Sequence, residues 1–393
     1  MTTTIIIAFC SLLLLAYLFD LSASKTKIPA VILLLLLGWG MQQLASWMQL
    51  QLPDFSSMLP VLGTVGLVLI VLEGSLELEW NPSQVSLIRK SLWGAVIPIF
   101  ALAALLALAF WYVGRVDFKV ALLNAIPLCV ISSAIAIPSV RNLSSGNKAF
   151  VIYESSLSDI FGVLVFNFLA LNKTIDAMAF GTFAGELVLI GVVSVLATVG
   201  LAFLLNRIEH HIKYVPIILL VVLIYAVSKV YHLFGLVFIL FFGLFIGNLQ
   251  ALKRFDWLQK FKPDELSVEV KKFKELTGEA AFLIRALFFL LFGFLIDTSA
   301  VLNVETLVWA ASIVGLILVV RIVQLRLSNL PLLPLLFIAP RGLITILLFL
   351  SIEPGQTIPL VNPSLIIQVI LLTALLMMGG MMMAKKPAKE NNT

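Results

Sequence analysis

Charged residues and cysteine are both scarce in this 393-residue sequence. Asp, Glu, Lys and Arg make up only 12% of it, against roughly a quarter in ordinary soluble domains. The two cysteines, Cys10 and Cys129, both lie in apolar runs, which excludes a disulfide framework and a cysteine-rich metal site. The sequence also lacks a G-x-S-x-G elbow, an H-E-x-x-H pair and a nucleotide-binding loop. We therefore predict that the chain is not an enzyme and uses no cofactor.

Apolar residues, in contrast, make up 61% of the chain and occur in long runs. Because a membrane-spanning helix needs about 20 apolar residues, we predict an all-α polytopic membrane protein. The thirteen predicted spans lie near residues 4–21, 28–45, 58–76, 91–113, 119–140, 148–171, 180–205, 214–229, 232–249, 279–297, 301–325, 330–352 and 364–383. The first run lacks a basic n-region and a cleavage site, so we interpret it as a retained helix.

The distribution of basic residues predicts the orientation of the chain in the membrane. Of the 26 Lys and Arg residues, 19 follow odd-numbered spans, 4 lie on the opposite side and 3 lie within spans. Basic residues near span ends resist translocation. We therefore expect an integral plasma (inner) membrane protein with its amino terminus outside and its carboxyl terminus in the cytoplasm.

Two segments outside the spans receive separate predictions. The loop near residues 250–278 is basic and contains interleaved aromatic residues, so we interpret it as a cytoplasmic helix on the surface of the lipid bilayer. The tail at 384–393 is short and polar, and we expect it to be disordered. We expect the chain to form a single membrane domain.

Span 6 contains acidic residues in an otherwise apolar run, FVIYESSLSDIFGVLVFNF. An ionisable side chain at membrane depth costs a few kcal/mol or more, and therefore indicates a function or a partner. Glu154 and Asp159 lie about 7.5 Å apart along a helix axis, and Ser158 falls one turn from Glu154. These groups predict a polar site within the membrane.

Two other spans are interrupted by residues that weaken a helix. Proline removes an amide donor and glycine tolerates unusual backbone angles. Irregular backbone at this depth is tolerated only where it is buried in protein or lines a water-filled cavity. The interrupting residues are Ser132, Ser133, Pro138 and Ser139 in span 5, and Pro340, Arg341 and Gly342 in span 12.

The positions of the interrupted spans indicate a transporter. If spans 1–6 and 8–13 are repeats joined by span 7, the repeats are inverted and spans 5 and 12 are equivalent. Interrupted helices at matching places in inverted repeats indicate a substrate site near the midplane. Each proline taken alone is also compatible with a simple helix kink.

The residues also suggest a mechanism of exchange. A buried Asp159 loses hydration when it is charged, so a proton or a cation would neutralise it. Hard monovalent cations prefer oxygen ligands, which Asp159 and the hydroxyls of Ser158, Ser132 and Ser133 would supply. If only the neutralised site crosses the hydrophobic barrier, proton and cation are exchanged.

Other charged residues in the spans receive structural interpretations. Glu154 and Arg321 would satisfy each other as a buried ion pair. Arg341 would either compensate carbonyl dipoles at a helix C-terminus or extend to the membrane interface. Glu73 and Asp297 lie at span ends, where acids are usually interfacial.

Several segments resemble the monovalent cation:proton antiporter superfamily, close to the sodium/hydrogen exchangers. The similar segments are LEGSLELE at 72–79, SSAIAIPS at 132–139, ESSLSD at 154–159, LLFGFLID at 290–297, VVRIV at 319–323 and APRGL at 339–343. The resemblance implies a thirteen-span fold with a mobile core domain, a dimerisation domain and elevator-like alternating access. It also implies that Asp159 is the essential ion- and proton-binding acid, that Glu154 and Arg321 form a buried pair, and that Arg341 lies beside the second break.

The chain departs from the family pattern at the first break and before the acid. Ser158 replaces the usual Asn, and Ser132, Ser133 and Ala134 replace Thr-Asp-Pro. The Ser-Ser-Ala-Ile-Ala segment is closer to the potassium-efflux branch. We expect a homodimeric antiporter for Na⁺ or Li⁺ and protons, without nucleic-acid partners. Potassium/proton exchange is the alternative and a passive cation channel is a more remote one.

Overall fold

The computed structural model describes residues 2–26, 28–49, 54–55, 57–78, 85–140, 143–172, 174–207, 214–231, 235–248 and 263–383. Within these ranges the chain forms helices and no strand. The helices are α1 (Thr2–Thr26), α2 (Ala30–Trp47), α3 (Met58–Glu77), α4 (Val85–Gly114), α5 (Phe118–Cys129), α6 (Ser133–Ser139), α7 (Ser145–Leu171), α8 (Ala177–Arg207), α9 (Tyr214–Val230), α10 (Gly235–Gly247), α11 (Pro263–Phe294), α12 (Thr298–Val301), α13 (Val304–Leu327), α14 (Leu343–Leu350) and α15 (Pro363–Met383).

Each of the thirteen predicted spans coincides with a helical segment in the described part of the chain. Nine helical segments there are long and apolar enough to cross a membrane, with α5 and α6 counted together as one segment. Helices α9 and α10 are shorter and apolar. The twelfth span is also divided into two pieces. The predicted all-α polytopic class is confirmed, and the protein is a multi-pass integral membrane protein.

Capping side chains mark the starts of α5 and α13. Asp117 precedes α5, and its carboxylate accepts a hydrogen bond of 2.8 Å from the Lys119 amide. Asn303 precedes α13 and accepts from the amides of Glu305 and Thr306 at 3.0 and 3.3 Å. These side chains satisfy amides that the first helical turn leaves without partners.

Helix α11 begins well before the predicted tenth span. It runs without interruption from Pro263 to Phe294, so residues 263–278 continue into the tenth span and the prediction of a separate helix on the bilayer surface is wrong for them. The reason is packing: Phe273 is fully buried and its ring lies 6.2 Å from that of Phe242 and 6.5 Å from that of Tyr214. The rest of that segment (250–262) and the tail at 384–393 lie outside the described residues.

The helices form two groups that meet at α3. Helices α2, α3, α10 and α11 pack together, with α1, α8 and α9 against them. Helices α4, α5, α6 and α7 pack together, with α13, α14 and α15 extending this second group. Helix α3 also contacts α6, α7 and α14 and therefore forms the boundary.

Two glycines allow α2 and α11 to approach at backbone distance. A Cβ atom on Gly38 would lie 2.1 Å from the Leu290 carbonyl oxygen, and a Cβ atom on Gly293 would lie 2.4 Å from the Leu35 carbonyl oxygen. Small residues at helix crossings are typical of membrane proteins, where close packing drives association. The crossing therefore requires glycine on both helices.

The first broken helix has its break between α5 and α6. Residues 130–132 are not helical, and Val130 and Ser132 have extended backbone angles. The second break, at 338–342, lies between a short 3₁₀ turn at Leu335–Phe337 and α14. The Ser132 amide donates a hydrogen bond of 2.9 Å to the Pro340 carbonyl, so the two breaks touch. This contact joins the interrupted parts of the fifth and twelfth predicted spans.

The structure corrects the predicted position of the first break. Pro138 is not at the unwound point but lies inside α6, one residue before its end. A proline at this position removes a single amide, which would pair with the Ala134 carbonyl. Because the helix ends one residue later, the loss is tolerated. Pro340 and Gly342, in contrast, both lie in the second break, and Gly342 is the last residue before α14.

We predict that Gly38→Ala lowers the thermal midpoint of the detergent-solubilised protein. The added methyl group would force α2 and α11 apart, at a cost of about 1–3 kcal/mol. The matched control is Gly40→Ala on the same helix, because nothing lies within 4 Å of a Cβ atom there. The control should leave the midpoint unchanged or raise it, and equal midpoints for the two variants would contradict the proposed crossing.

Candidate cation site

The amides on either side of Ser132 are satisfied by side chains from α7. The Ile131 amide donates to the Ser158 hydroxyl at 2.9 Å, and the Ser133 amide donates to Asp159 Oδ2 at 3.3 Å. Both amides are freed where α5 ends, and membrane protein backbone requires such replacement partners. Span 6 thus supplies the groups that stabilise the first break.

Asp159 is buried at this junction, with 2% of its surface exposed. Its Oδ2 atom accepts a second hydrogen bond, from the Ser133 hydroxyl. In the part of the chain that the structure describes, neither Asp159 Oδ1 nor the buried hydroxyl of Ser132 has a hydrogen-bond partner. Two buried oxygen atoms are therefore available to a ligand at the point where the breaks meet.

Glu154 and Arg321 form a buried ion pair between α7 and α13. Their side chains are 1% and 2% exposed. Arg321 Nη1 and Nη2 each donate to one carboxylate oxygen, with Nη2 to Oε2 at 2.7 Å. Gln324 Nε2 donates to Glu154 Oε1 at 3.0 Å. The pair is bidentate, with two hydrogen bonds between the guanidinium and the carboxylate. Arginine can form this geometry and lysine cannot.

The other donors of Arg321 bind the region of the second break. Nε donates to the Leu335 carbonyl and Nη2 to the Ile338 carbonyl, both at 3.2 Å, while Nη1 also donates to Gln324 Oε1 at 3.0 Å. All five N–H groups of the guanidinium therefore have acceptors. The ion pair links α7, α13 and the second break in one network.

Arg341 caps the end of the first half-helix. It is 1% exposed, and its Nε donates to the Leu128 carbonyl in the last turn of α5 at 2.8 Å. Its Nη1 donates to the Ala339 carbonyl at 3.2 Å, and its amide donates to Thr373 Oγ1 at 3.1 Å. The alternative of an arginine reaching the membrane interface is therefore wrong. The positive charge faces the negative end of the α5 dipole.

Gly342 lies at the close approach of the two breaks. A Cβ atom there would lie 2.6 Å from Ile135 Cδ1 and 2.9 Å from Ser132 Oγ. A side chain at this position would force the side chains of Ile135 and Ser132 to move. The glycine thus keeps the Ser132 hydroxyl beside the second break.

Comparison with known proteins gives a family assignment. The family model described as sodium/hydrogen exchanger, transmembrane, matches residues 10–384. The chain belongs to the sodium/hydrogen exchanger family. A search of curated proteins finds no significant match in sequence.

Solved structures share the fold of this exchanger-family chain. The sodium proton antiporter MjNhaP1 from Methanocaldococcus jannaschii at pH 8 matches with a TM-score of 0.68 and 19% identity, covering 97% of this chain and 96% of that one. A structure from a 3D EM map of the same antiporter matches with a TM-score of 0.68 and 18% identity, covering 96% and 94%. At these identities the likeness is one of fold.

A second ion pair joins α3 and α11 in this exchanger-family chain. Glu73 Oε2 on α3 lies 3.7 Å from Arg285 Nη1 on α11, with side chains 18% and 7% exposed. Arg285 thus gives Glu73 a charged partner, and the interfacial position of Glu73 stays a prediction. Asp297 is exposed and precedes α12, where it accepts from the Ser299 amide at 2.9 Å.

Two members of the candidate cation site, Gln324 and the Ile131 amide, were not predicted from the sequence. Gln324 lies one helical turn after Arg321, and a buried amide at this spacing in an apolar helix is a recognisable signal. The Ile131 amide has no signature in the sequence, because its role depends on where the break occurs.

No group of three or more His, Cys, Asp or Glu that could hold a metal ion occurs among the described residues.

Two cavities lie near the two ends of the fifth predicted span. The larger has a volume of about 460 Å³, lies between α7 and α14 on one side and α3, α9 and α10 on the other, and is lined by Ile160, next to Asp159. The smaller, of about 20 Å³, is lined by Arg285, Asp20 and Ser139 and has room for about one water molecule. The larger cavity lies on the side where α7 ends.

We predict that Glu154→Gln or Arg321→Gln alone lowers the thermal midpoint strongly, because the remaining charge is buried without a partner, at a cost of roughly 3–5 kcal/mol. The control is Arg326→Gln, an exposed position on the same helix, which should change the midpoint little. The double charge swap at 154 and 321 should recover only part of the loss, because the carbonyls of Leu335 and Ile338 lose the Arg321 donor. No recovery at all would argue against the pairing.

Proposed function

We propose that this exchanger-family protein exchanges protons for a monovalent cation, Na⁺ or Li⁺, at Asp159. The observation that carries the proposal is the environment of this carboxylate. The groups that bond it are the neutral amide and hydroxyl of Ser133, and its Oδ1 atom has no partner among the described residues. Glu154, in contrast, is neutralised by Arg321.

Among the described residues no basic side chain is bonded to Asp159, which supports competition at this carboxylate. A charged carboxylate in a poorly hydrated site is costly, and either a proton or a cation removes that cost. Because one carboxylate cannot bind both at full occupancy, each ion displaces the other. If the empty charged site cannot cross the hydrophobic barrier, transport is obligatory exchange.

The hydrogen bonds suggest different roles for the serines. Ser132 offers a hydroxyl that has no hydrogen-bond partner among the residues that the structure describes, and it is proposed as a cation ligand together with Asp159. Ser133 and Ser158 already bond the carboxylate and the Ile131 amide, which favours a positioning role for both. Glu154 and Arg321 are proposed to be structural.

Alternating access is proposed to occur by movement of α4–α7 and α13–α15 relative to the helices around α3. The boundary at α3, and cavities of unequal size near the two ends of the fifth predicted span, are consistent with such a movement. The whole chain would act as a single transporter domain, with spans 1–6 and 8–13 as repeats and span 7 as the connection.

The remaining aspects of the proposal depend on sequence patterns. The charge distribution supports an amino terminus outside and a carboxyl terminus in the cytoplasm. A homodimer in the plasma (inner) membrane follows from the resemblance to antiporters. Potassium is retained as the second candidate ion, because hydroxyls replace the carboxylate and amide that relatives have beside the acid.

We predict that Asp159→Asn abolishes cation-dependent proton flux in proteoliposomes, because an amide cannot exchange a proton for a cation. The protein should still insert and purify as a folded species. The matched control is Asp176→Asn, an exposed position beyond the end of α7, which should retain exchange. Measured exchange by the Asp159 variant would remove the basis of the site assignment.

We also predict that the apparent KM for the cation rises as the pH falls, by up to tenfold per pH unit where the proton occupies the site. The maximal rate at saturating cation should change less, because cation displaces the proton. Flux measured with Na⁺, Li⁺ and K⁺ over a pH series tests this and ranks the ions. An apparent KM that is independent of pH would exclude competition at one carboxylate.

A further inference from the structure

A short segment joins the two helix groups between α11 and α13. Helix α11 belongs to the first group, where Gly293 near its end packs against Leu35 of α2, and α13 belongs to the second group. Between them lie residues 295–297, the single-turn helix α12 and residues 302–303. If the groups move relative to each other, a few residues at such a connection must absorb the change in backbone angles.

The second group holds the end of α12. Gln368 on α15 is 2% exposed, and its Nε2 atom donates to the carbonyls of Val301 and Asn303 at 3.1 and 2.8 Å. Asn303 also caps α13. Because a buried side chain of α15 binds this backbone at two points, residues 301–303 belong with α13 and α15.

The start of α12, in contrast, is held by the first group. The hydroxyl oxygen of Thr298 accepts hydrogen bonds from Trp39 Nε1 at 2.9 Å and from Gln43 Nε2 at 3.1 Å. Both donors lie on α2 and are four residues apart, so they share one face of that helix. Thr298 thus makes side-chain bonds to the first group, one turn before backbone that the second group holds.

The bonds to Thr298 are the weaker of the two attachments of α12. Gln43 is exposed, so water can replace its hydrogen bond at little cost. The bonds of Gln368 involve a buried amide, for which water is a poor substitute. When the two groups move apart or slide, the bonds to Thr298 are therefore the ones that break.

We propose that Thr298 is a latch that stabilises the conformation described above, in which the larger cavity lies on the side where α7 ends. The bonds from Trp39 and Gln43 form in this conformation and break in the alternate one, with residues 295–297 as the hinge. This inference rests on the proposed exchange by alternating access. Thr298 makes no contact with the ion, and it acts only on the equilibrium between the two conformations.

The experiment measures the apparent KM for Na⁺ from each membrane face, by cation-driven proton flux in right-side-out and inverted vesicles, with Li⁺ or K⁺ in its place if wild type prefers one of them. Thr298→Val removes the hydroxyl and keeps the shape of the side chain. Because apparent affinity falls with the population of the binding conformation, the KM from the face where α7 ends should rise relative to the KM from the other face. The expected change in this ratio is about three- to fivefold, the factor that one neutral hydrogen bond contributes to an equilibrium.

Three further variants accompany this measurement. Thr298→Ser keeps the hydroxyl and should keep the wild-type ratio of KM values. Ser312→Ala removes an exposed hydroxyl that donates to the Val308 carbonyl of its own helix, and it should also leave the ratio unchanged. Trp39→Phe removes one of the two donors to Thr298 and should change the ratio in the same direction as Thr298→Val, but by less.

The ratio of the two KM values separates a latch from other roles of Thr298. A change in ion affinity that is equal in both conformations would move both KM values in the same direction and leave their ratio unchanged. A general loss of stability would lower the thermal midpoint without changing the ratio. An unchanged or lowered ratio in folded Thr298→Val and Trp39→Phe variants would overturn the proposal.

The outcomes distinguish this inference from the proposed function. If wild type shows no cation-driven proton flux, the proposed function itself fails and the inference fails with it. If wild type exchanges ions, Asp159→Asn does not, and Thr298→Val keeps the wild-type ratio of KM values, then only the inference fails. A raised ratio for Thr298→Val beside a wild-type ratio for Thr298→Ser supports both.

Discussion

A polypeptide that leaves the helical conformation inside hydrocarbon must find a new partner for every freed amide and carbonyl. At the first break, three consecutive amides meet this requirement with groups from elsewhere in the chain: the Ser158 hydroxyl, the Pro340 carbonyl and the Asp159 carboxylate. The acid proposed to bind ions therefore also holds the broken backbone. Neutralising Asp159 changes the strength of a backbone contact, which links occupancy of the site to the geometry of the crossing.

The charges around the crossing are distributed unequally. Arg321 is saturated by Glu154, Gln324 and two carbonyls, and Arg341 faces the end of α5. Glu73 has Arg285 beside it. Asp159 is bonded by a neutral serine instead. The fixed arginines thus compensate fixed charges and dipoles, and in the proposed exchange a mobile ion would compensate the acid.

Much of this architecture could be predicted from the sequence, because hydrophobic run length and intramembrane charge are strong local signals. The spans, the second break at Pro340–Gly342 and the polar cluster around Asp159 are of this kind. The first break could not be located, because Pro138 fits within a short helix while the unwinding occurs earlier, where partners from other segments are available. The extension of α11 depends on tertiary packing, which a single sequence does not encode locally.

The guanidinium of Arg321 donates to five acceptor atoms, which limits the residues that could replace it. In water-soluble proteins a buried salt bridge can often be exchanged for aliphatic side chains of similar volume without loss, because both charges are removed together. Here the same exchange would remove the Arg321 donor from both the Leu335 and the Ile338 carbonyl. The Leu335 carbonyl would keep the Ile338 amide as a donor, but the Ile338 carbonyl would lose the side-chain donor that satisfies it in an apolar environment. The Arg321 guanidinium stabilises irregular main chain by donating to its carbonyls. Only a side chain of comparable length with several hydrogen-bond donors could replace it.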